Sequence, residues 1–449
     1  MPSLAKTPIR AGAKRLSLML MVCTVLTACV GSGSDVTKLG FAPGHGPADP
    51  QGASATTPRL QEDGAVHSAV IAELQARRSV LPTQSAYAAI AQAVIEAGAG
   101  VAAAELNVAR LKAEAKAKNW LPDVGPEVTL SALGAVAAGI LLEQAVFDNG
   151  KRKAERAHAA ADVELAAINL SISTNERVYE GLSFYLTAQM AREQASLTQD
   201  RLVKLREFER ITKLRVEGGL SDGSELRLMR QRTAEAEATL AADLQTAATA
   251  EASLAAMTTK SLAGISGLSP LPADSDATTP LAVLRAKGEA ARDIAEAQVE
   301  QASMMPGIGL TTKLGLGGLD GGLRLGGGGF GPGRKARQDA IAAVPDLAHR
   351  RTAEAVEESG RRIVALQREM AEITSRQSIA QGVLDQQARN ITLYHDQYRL
   401  GRRSLTDLAQ QYEAHASALR DHAALKYMAA NLRLQIARSR GELVEGRHL

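Results

Sequence analysis

The glycine-rich segment LGGGGFGPGRK, residues 325–335, is the stretch of this chain that comes nearest to a site for chemistry. A phosphate-binding loop needs Lys and then Ser or Thr after its last glycine. Here Arg334 follows Gly333, so nucleotide binding is disfavoured. His415 and His422 could share a helix face, yet their isolation favours surface or packing roles over metal binding. The sequence has no HExxH motif and no plausible catalytic cluster, so it predicts neither an enzyme nor a cofactor site.

The N-terminal region contains a cysteine whose neighbours predict a covalent modification. Four basic residues precede an apolar stretch over 16–28, which is too short for a spanning helix of about 20 residues. The sequence LTAC at 26–29 places small residues before a cysteine, as in a bacterial lipobox. The pattern predicts a lipoprotein signal peptide at 1–28 and lipidation of Cys29; a plain secretory signal is the alternative. In bacterial lipoproteins an Asp after the Cys commonly marks inner-membrane retention, so Val30 favours the outer membrane.

Removal of residues 1–28 changes the charge and the cysteine content. The formal net charge falls from +3 to −1, because four basic and no acidic residues are lost. A nearly balanced charge gives no indication of a nucleic-acid partner. Cys23 is lost as well, so the mature chain keeps only Cys29 and has no intrachain disulfide. Aromatic residues, at 3%, are too scarce for several compact cores but suit closely packed alanine-rich helices.

Two segments depart from helical periodicity and alternate between apolar and polar residues, as half-buried strands do. Residues 123–132 place Val128 on one face and Glu127 on the other, and a return strand follows at 140–147. The sequence therefore predicts a β-hairpin over 123–147.

The second alternating segment, residues 307–316, places Leu310 on one face and Lys313 on the other. The sequence GGLDGG then predicts a turn, with a return strand at 323–330. The second predicted hairpin therefore covers 307–330.

A long helical stretch follows each hairpin, at 150–217 and 333–400. At about 1.5 Å per residue each would extend about 100 Å, and each ends in a glycine turn from which a second helix returns. The second stretch contains apolar residues at alternating steps of three and four, interrupted only by two glutamines, which predicts supercoiled helix packing. This heptad line consists of Ile363, Leu366, Met370, Ile373, Gln377, Ala380, Leu384, Gln387, Ile391, Tyr394 and Tyr398.

Three sequence features recur in the two halves of the chain at nearly the same offset. Pro122 recurs as Pro306, and Gly219 recurs as Gly401. The sequence Phe-x-x-Gly-basic-basic begins at Phe147 and again at Phe330. Because the three offsets agree to within two positions, they predict an internal duplication. The predicted organisation is a tether at 29–63, a first repeat at 64–258, a linker at 259–280, a second repeat at 281–441 and a tail at 442–449.

Strands of about ten residues with one apolar face can cross a bilayer when tilted. Two hairpins supply four strands, whereas the smallest common membrane barrels have about eight. An open edge cannot persist in lipid, because each unpaired backbone group costs several kcal/mol there. Several chains must therefore close the barrel together, and these arguments alone allow two, three or more.

The chain resembles the TolC family of outer-membrane efflux and secretion proteins over roughly residues 64–441. The matching motifs are Leu-Pro before the first hairpin, VFDNGKRK after it, and the turns RVEGGLSDGSEL and YRLGRRSLTDL. The resemblance implies a mainly α fold with a small β part. In that fold three chains form a barrel of long antiparallel coiled-coil helices, and two hairpins per chain contribute to a shared twelve-stranded outer-membrane β-barrel.

The resemblance also implies partners and functional residues. Members of the family are lodged in the outer membrane with a large periplasmic part and meet a periplasmic adaptor protein at their helical turns. The inner-membrane partner is a proton-driven (RND) pump or an ABC transporter, the latter for type I secretion. The implied adaptor contacts are Gly218, Gly219, Leu220, Ser221, Gly401, Arg402, Arg403 and Ser404.

A periplasmic gate is the remaining feature that the resemblance implies. Carried onto this sequence, Arg403 would pair with Glu225 and Tyr398 with Ser224 in the closed state. Asp407 would face the lumen. The alternative is that these residues are solvent-exposed surface charges without a gating role.

The predicted function is a passive, trimeric outer-membrane conduit of a three-part export system. The alternative from another class is a lipid-anchored periplasmic coiled-coil spacer or adaptor without a pore. The two alternating hairpins favour the conduit, because a spacer has no need of them.

Overall fold

A computed structural model of the chain describes residues 58–61, 64–130, 136–262, 264–272, 278–315, 318–326 and 331–448. The predicted signal peptide 1–28, the lipidation site Cys29 and most of the tether 29–63 lie outside the described residues. Phe330 of the repeated motif lies outside them too.

The first half of the chain contains a short ribbon, three short helices, a hairpin and two long helices. In chain order they are β1 (Arg59–Leu60), β2 (Val66–His67), α1 (Ala69–Ala76), α2 (Ala86–Glu96), α3 (Val101–Ala117), β3 (Asp123–Leu130), β4 (Val136–Phe147), α4 (Lys151–Glu217) and α5 (Gly223–Ala256). The second half has the same order of helix, hairpin, long helix and returning helix. Its elements are α6 (Leu281–Ser303), β5 (Gly307–Gly315), β6 (Gly318–Gly326), α7 (Arg334–Arg399) and α8 (Leu405–Arg440), and a 3-10 turn at Gly446–His448 closes the chain.

The long helices agree with the stretches predicted from periodicity, whereas the hairpins differ in detail. The return strand β4 begins at Val136, four positions before the predicted start. Strand β6 covers Gly318–Gly326 and begins five positions before the predicted start at 323, so that start is wrong, whereas the predicted end at 327–330 lies outside the described residues. Glycine adopts extended and turn conformations about equally well. Pairing of Lys313 with Asp320 and of Leu314 with Leu319, rather than turn propensity, therefore fixes where β6 starts.

The elements pack side by side in three successive layers. The sheet has the order β3-β4-β5-β6, and all its pairs are antiparallel. Next to it, the helices pack in the order α3, α4, α6, α7. Farther from the sheet the order becomes α5, α4, α8, α7. Each layer thus ends in an element of the first half on one side and an element of the second half on the other.

The predicted heptad line in α7 is confirmed as a packing face. All eleven of its residues are buried or half-buried, while most of their neighbours in the helix are exposed. Ile373 packs against Ala429 and Leu432 of α8. Van der Waals contact along such a line explains why α7 packs against α8.

The main apolar core lies around the middle of α4. Tyr87 and Ile90 of α2 pack there against Leu182 and Tyr185 of α4, and the two tyrosine rings meet edge to face at 6.1 Å. Full burial of Leu182 contributes roughly 2 kcal/mol by transfer from water alone.

Three segments that the sequence assigned to tether, linker and tail contribute to this packing. Leu60, at the end of the predicted tether, packs against the Val163 cluster on α4. Leu271 in the linker is buried, and Tyr185 donates a hydrogen bond of 2.8 Å to the carbonyl of Gly267. Leu443 in the tail is buried too, and its N–H donates to Asn175 Oδ1 at 2.9 Å. Scattered apolar residues in polar segments gave no periodicity from which these contacts could be predicted.

Two polar clusters join α4, α5 and α8 below the core. Arg420 of α8 donates to Thr198 Oγ1 of α4 at 2.5 Å and to Asp243 Oδ1 of α5 at 3.1 Å. Nearer the distal end, Glu413 of α8 accepts from Arg201 of α4 at 2.6 Å. Each cluster satisfies charged groups that lie between helices, and together they fix the register of α8 against its neighbours.

Among the described residues, no single helix is both long and apolar enough to cross a membrane. Helices α2 and α3, bent by 57° relative to each other, together have the length and composition of a broken span.

Candidate functional site: an amphipathic sheet and two distal turns

The four-stranded sheet separates apolar and charged side chains onto opposite faces. In an antiparallel sheet, directly paired residues project from the same face. Val124 pairs with Leu142, and Leu142 with Thr312, so one face can be followed across the strands. Its large apolar members are Val124, Val128, Ile140, Leu142, Ile308, Leu310, Leu314, Leu319, Leu323 and Leu325.

This apolar face is uncovered in the single chain. The exposed fraction of the side chain reaches 70% at Val128, 74% at Leu323 and 79% at Leu325. A contiguous apolar surface of this kind marks contact with a membrane or with another apolar surface.

The opposite face of the sheet contains charges and many glycines. Lys313 of β5 reaches Glu127 of β3 at 2.5 Å, and Arg324 of β6 reaches Glu143 of β4 at 3.3 Å. Each ion pair spans one intervening strand. Exposed pairs of this kind contribute at most about 1 kcal/mol each. Because glycine-rich strands specify their register weakly, the main consequence of these pairs is to hold the two hairpins in one alignment.

A cavity of about 540 Å³ lies where the charged face meets the helices. Its lining includes Asp123, Glu143, Arg324, Lys151 and Arg152. Acidic and basic side chains therefore share this cavity with apolar ones, among them Ile308 and Leu310.

The repeated Phe-x-x-Gly motif forms the joint between the sheet and α4. Asn149 and Gly150 have positive φ values of 51° and 82°, which turn the chain from strand to helix. Asp148 accepts hydrogen bonds from the N–H groups of Gly150 and Arg152. The Asn149 side chain donates to the carbonyl of Pro306 at 2.8 Å. The joint of the first half is thereby tied to the start of the second hairpin.

The first distal turn (residues 218–222) and the second distal turn (residues 400–404) have matching backbones. Gly219 and Gly401 have φ values of 69° and 72°. The Leu220 N–H donates to the Arg215 carbonyl, and the Arg402 N–H donates to the Gln397 carbonyl, at 2.8 and 2.9 Å. Both bonds complete the helix end that a left-handed glycine permits. The same offset along the chain relates every residue of the second turn to its counterpart in the first.

The side chains that cap the returning helices differ between the turns. Ser404 and Asp407 form a reciprocal capping box at the start of α8. The hydrogen bond from Ser404 lowers the pKa of Asp407. In the first turn Asp222 accepts from the N–H groups of Ser224 and Glu225, and the Ser224 bonds lower the pKa of Asp222. Asp407 therefore has a local structural partner, which the sequence analysis did not assign to it.

The predicted gate pairs are not formed among the described residues of this single chain. The Arg403 guanidinium lies 4.7 Å from the centre of the Tyr394 ring, and its Nε donates to Gln397 at 3.2 Å. Glu225 instead accepts a hydrogen bond from Ser221, and Ser224 is bonded to Asp222. Local partners satisfy these groups within their own turn. The pairs Arg403–Glu225 and Tyr398–Ser224 stay a prediction for the assembled protein.

Tyr398 belongs to an apolar cluster that joins four helices just above the turns. The cluster contains Phe208, Met229, Leu405 and Leu408, with Tyr398 half-buried against them. Its members come from α4, α5, α7 and α8, so both turns of one chain are packed together. Sequence reasoning missed this cluster, although four aromatic residues near the turns of an aromatic-poor chain were a visible signal.

Leu400 is a further residue that sequence reasoning missed. It is 69% exposed at the second turn, much as Leu220 is 74% exposed at the first. Its position directly before Gly401 was the available signal. Among the described residues, no group of three or more His, Cys, Asp or Glu side chains is placed to hold a metal ion.

Several solved structures of outer-membrane proteins are similar to this chain. The CmeC outer membrane channel of Campylobacter jejuni is 13% identical, with 80% of this chain and 86% of that chain covered and a TM-score of 0.67. The outer membrane protein VceC of Vibrio cholerae is 14% identical, with 79% and 96% covered and a TM-score of 0.69. The MtrE outer membrane channel of Neisseria gonorrhoeae, in its open state, is 16% identical, with 91% and 99% covered and a TM-score of 0.61.

These similarities establish that the chain has the fold of outer-membrane channel proteins, and they confirm at the level of fold the resemblance stated from sequence. No protein-family model matches the chain, and no curated protein matches it by sequence.

Proposed function

We propose that this protein is a trimeric outer-membrane channel, a passive conduit of an export system. The observation that carries the proposal is the sheet, which has an uncovered apolar face, a charged face and two unpaired edge strands. A sheet of that kind is stable in a bilayer only if it closes around water, with the apolar face toward lipid. The shared fold with CmeC, VceC and MtrE supports the same conclusion.

The three layers of the chain support closure by a single kind of contact. The open edges are β3 and β6 in the sheet, α3 and α7 in the next layer, and α5 and α7 in the distal layer. In each layer an edge of the first half can meet an edge of the second half of the next chain. A head-to-tail contact repeated around an axis produces a ring. Three chains give the twelve strands that the family resemblance implies.

An internal duplication accounts for the likeness of the two halves. The distal turns have the same backbone hydrogen bonds at equivalent positions, and the long helices have 67 and 66 residues. Duplication of one repeat would supply both edges of every layer.

The proposed protein is anchored by lipid at Cys29 and contacts a periplasmic adaptor through its distal turns. The inner-membrane partner is an RND pump or an ABC transporter. The lipid anchor comes from the lipobox at 26–29, and the adaptor and the inner-membrane partner come from the family resemblance. The exposure of Leu220 and Leu400 at the turns supports an exposed contact surface there.

Electrophysiology and mass measurement test the channel. The purified mature protein in detergent should have the mass of a trimer by light scattering and should conduct ions in planar bilayers. A charge at the bilayer midplane costs about 2–4 kcal/mol on a lipid face but little on a lumen face. Leu323→Arg on the apolar face should therefore impair trimer insertion, whereas Asp320→Arg on the charged face should insert and conduct. A monomeric, electrically silent protein would contradict the proposal and favour the spacer.

A gate at the distal turns is part of the proposal. Arg403 and Tyr398 of one chain would contact Glu225 and Ser224 across helices in the closed trimer, with Asp407 toward the lumen. An ion pair near 4 Å is worth about 4 kcal/mol at an effective dielectric constant of about 20, before desolvation and screening. The double variant Arg403→Ser, Tyr398→Phe should raise single-channel conductance. Unchanged conductance, equal to that of an Arg362→Ser control on α7, would remove the gate role.

A further inference from the structure

The two distal turns have opposite charge although their backbones match. Over residues 395–407 three arginines stand against two aspartates, whereas over the equivalent residues 213–225 one lysine and one arginine stand against three acids. The second turn is therefore positive by one charge, and the first is negative by one. Identical backbones with opposite charge indicate that the two turns recognise different surfaces.

The positive charge of the second turn is available to a partner. Both Arg399 and Arg402 are exposed, and among the described residues neither side chain makes a hydrogen bond or ion pair. Of the nearby acids, Asp407 is held in the capping box with Ser404, and Asp396 lies 3.8 Å from His395. Among the described residues, neither carboxylate forms an ion pair with Arg399 or Arg402.

The second turn also presents its groups in a fixed arrangement. The backbone bond from Arg402 to Gln397 fixes where the Arg402 side chain leaves the turn. The Arg403 guanidinium is held against the Tyr394 ring, which restricts its rotamers, although the residue as a whole is exposed. Exposed Leu400 adds an apolar contact beside the charges. Arginine binds carboxylates through two parallel hydrogen bonds, so the arginines of this turn are suited to bind carboxylate side chains.

We propose that the second distal turn, through Arg399, Arg402 and Leu400, is the docking surface for an acidic protein segment. The inference rests on the proposed function, in which the turns meet a periplasmic partner, and it adds the chemistry of that partner. Lipid of the membrane that holds the sheet is out of reach, because the 66 residues of α7 separate the turn from the sheet by about 100 Å. The surface is one short turn with a single apolar side chain, which fits a protein segment better than a bilayer.

Fluorescence anisotropy with the full mature protein in detergent tests this surface. The probes are an alanine-based helical peptide with glutamate at every fourth position and the same peptide with glutamine instead. Wild type should bind the glutamate peptide at least about tenfold more tightly than the glutamine peptide. The variant Arg399→Gln, Arg402→Gln should lose most of this preference. Arg362→Gln, Arg368→Gln, a matched pair of exposed arginines farther along α7, should retain it.

Three outcomes would overturn the inference. The first is an equal preference in wild type and in the second-turn variant. The second is loss of binding to phosphatidylglycerol vesicles, but not to the peptide, on the same substitutions, which would assign the arginines to lipid. The third is a preference for the glutamate peptide that is absent in wild type and appears in the variant Glu217→Gln. That result would show that the first turn of a neighbouring chain already occupies the second turn. Parallel conductance measurements separate this test from that of the channel, since a silent protein that still discriminates the peptides contradicts only the channel.

Discussion

The long helices α4 and α7 have almost the same length and occupy the same place in their halves, yet their surroundings differ. Helix α4 buries 24 of its 67 residues, whereas α7 buries 5 of 66. In both helical layers α4 lies between other helices of the chain, and α7 lies at an edge. Equivalent helices can therefore form a chain's interior in one half and its border in the other.

The same difference explains why the heptad line was visible only in α7. A helix packed along one side needs one apolar line, which a sequence shows clearly. A helix with neighbours on several sides needs small or apolar residues around most of its surface, so no single line stands out. The other side of α7 still exposes Ile379 and Leu393, by 64% and 54%. Contact with the next chain of a trimer would cover such residues.

The largest change in the free energy of unfolding is expected from replacing one isoleucine in α4, with one isoleucine in α7 as its control. Ile168 of α4 is fully buried, whereas Ile379 of α7 is 64% exposed. Ile168→Ala should lower the free energy of unfolding by about 4 kcal/mol, because it removes buried methylenes and leaves a cavity. Ile379→Ala should change it by less than about 0.5 kcal/mol in monomeric chains. Urea denaturation followed by circular dichroism measures both, and equal losses would contradict the contrast between interior and border.

A slightly smaller effect is expected where Arg420 crosses α4 to reach α5. Arg420→Ala leaves Asp243, which is only 8% exposed, without its cation, so a loss of about 3 kcal/mol is expected. The control Arg376→Ala removes an exposed pair with Glu372 on α7 and should cost at most about 0.5 kcal/mol. Adding Asp243→Ala to Arg420→Ala should recover part of the loss. No recovery would show that the carboxylate is not the source of the cost.

The caps of the two returning helices should have similar, smaller effects. Asp222→Ala and Ser404→Ala each remove a side-chain acceptor for N–H groups at a helix start, which costs about 1 kcal/mol. Thermal unfolding and amide hydrogen exchange in the first turns of α5 and α8 measure the two losses. Asp222→Asn and Ser404→Thr keep an acceptor and serve as controls. A loss at one turn only would show that the matching backbones do not depend on matching caps.

The smallest effect is expected in the pH dependence of stability. Glu164 of α4 is buried, and burial raises its pKa while its bond from Ser68 lowers it. A carboxyl whose folded pKa lies above its unfolded pKa makes stability fall as pH rises from the unfolded value through the folded value. Glu164→Gln should remove this part of the pH dependence. Asp346→Asn, at the equivalent position of α7 where the side chain is 70% exposed, should leave it unchanged.

Urea titrations at several pH values between the acid range and neutrality would measure that dependence. An unchanged profile in Glu164→Gln would contradict the role given to burial of this carboxylate.

The fold was predictable where a pattern repeats over many residues. The lengths of α4 and α7, both hairpins and the positions of the turns followed from periodicity, Pro122, Pro306 and the two turn glycines. The start of β6 was not predictable, because glycines carry no side chain that favours a strand over a turn. Pairing across to β5 decided it.

The backbone conformation of the candidate site could be predicted from the sequence better than its side-chain contacts could. Gly219 and Gly401 adopt the left-handed conformation that their position at a helix end favours. The partner of Arg403 was not predictable, because an exposed arginine can reach several groups within one turn. Tyr394 and Gln397 lie nearest to it in the folded chain.

Local sequence patterns were enough to establish which residues alternate, which motifs recur in the two halves and which residues end a helix, because these properties depend on neighbours a few positions apart. The packing of the folded chain was needed to establish which hairpin strands meet, which long helix lies inside and which side chains share a cluster. Those contacts join residues far apart in the chain, such as Lys313 and Glu127, and depend on how whole elements pack. No local pattern encodes these contacts, because a helix of the same length and place in its half can be stable either inside the chain or at its edge.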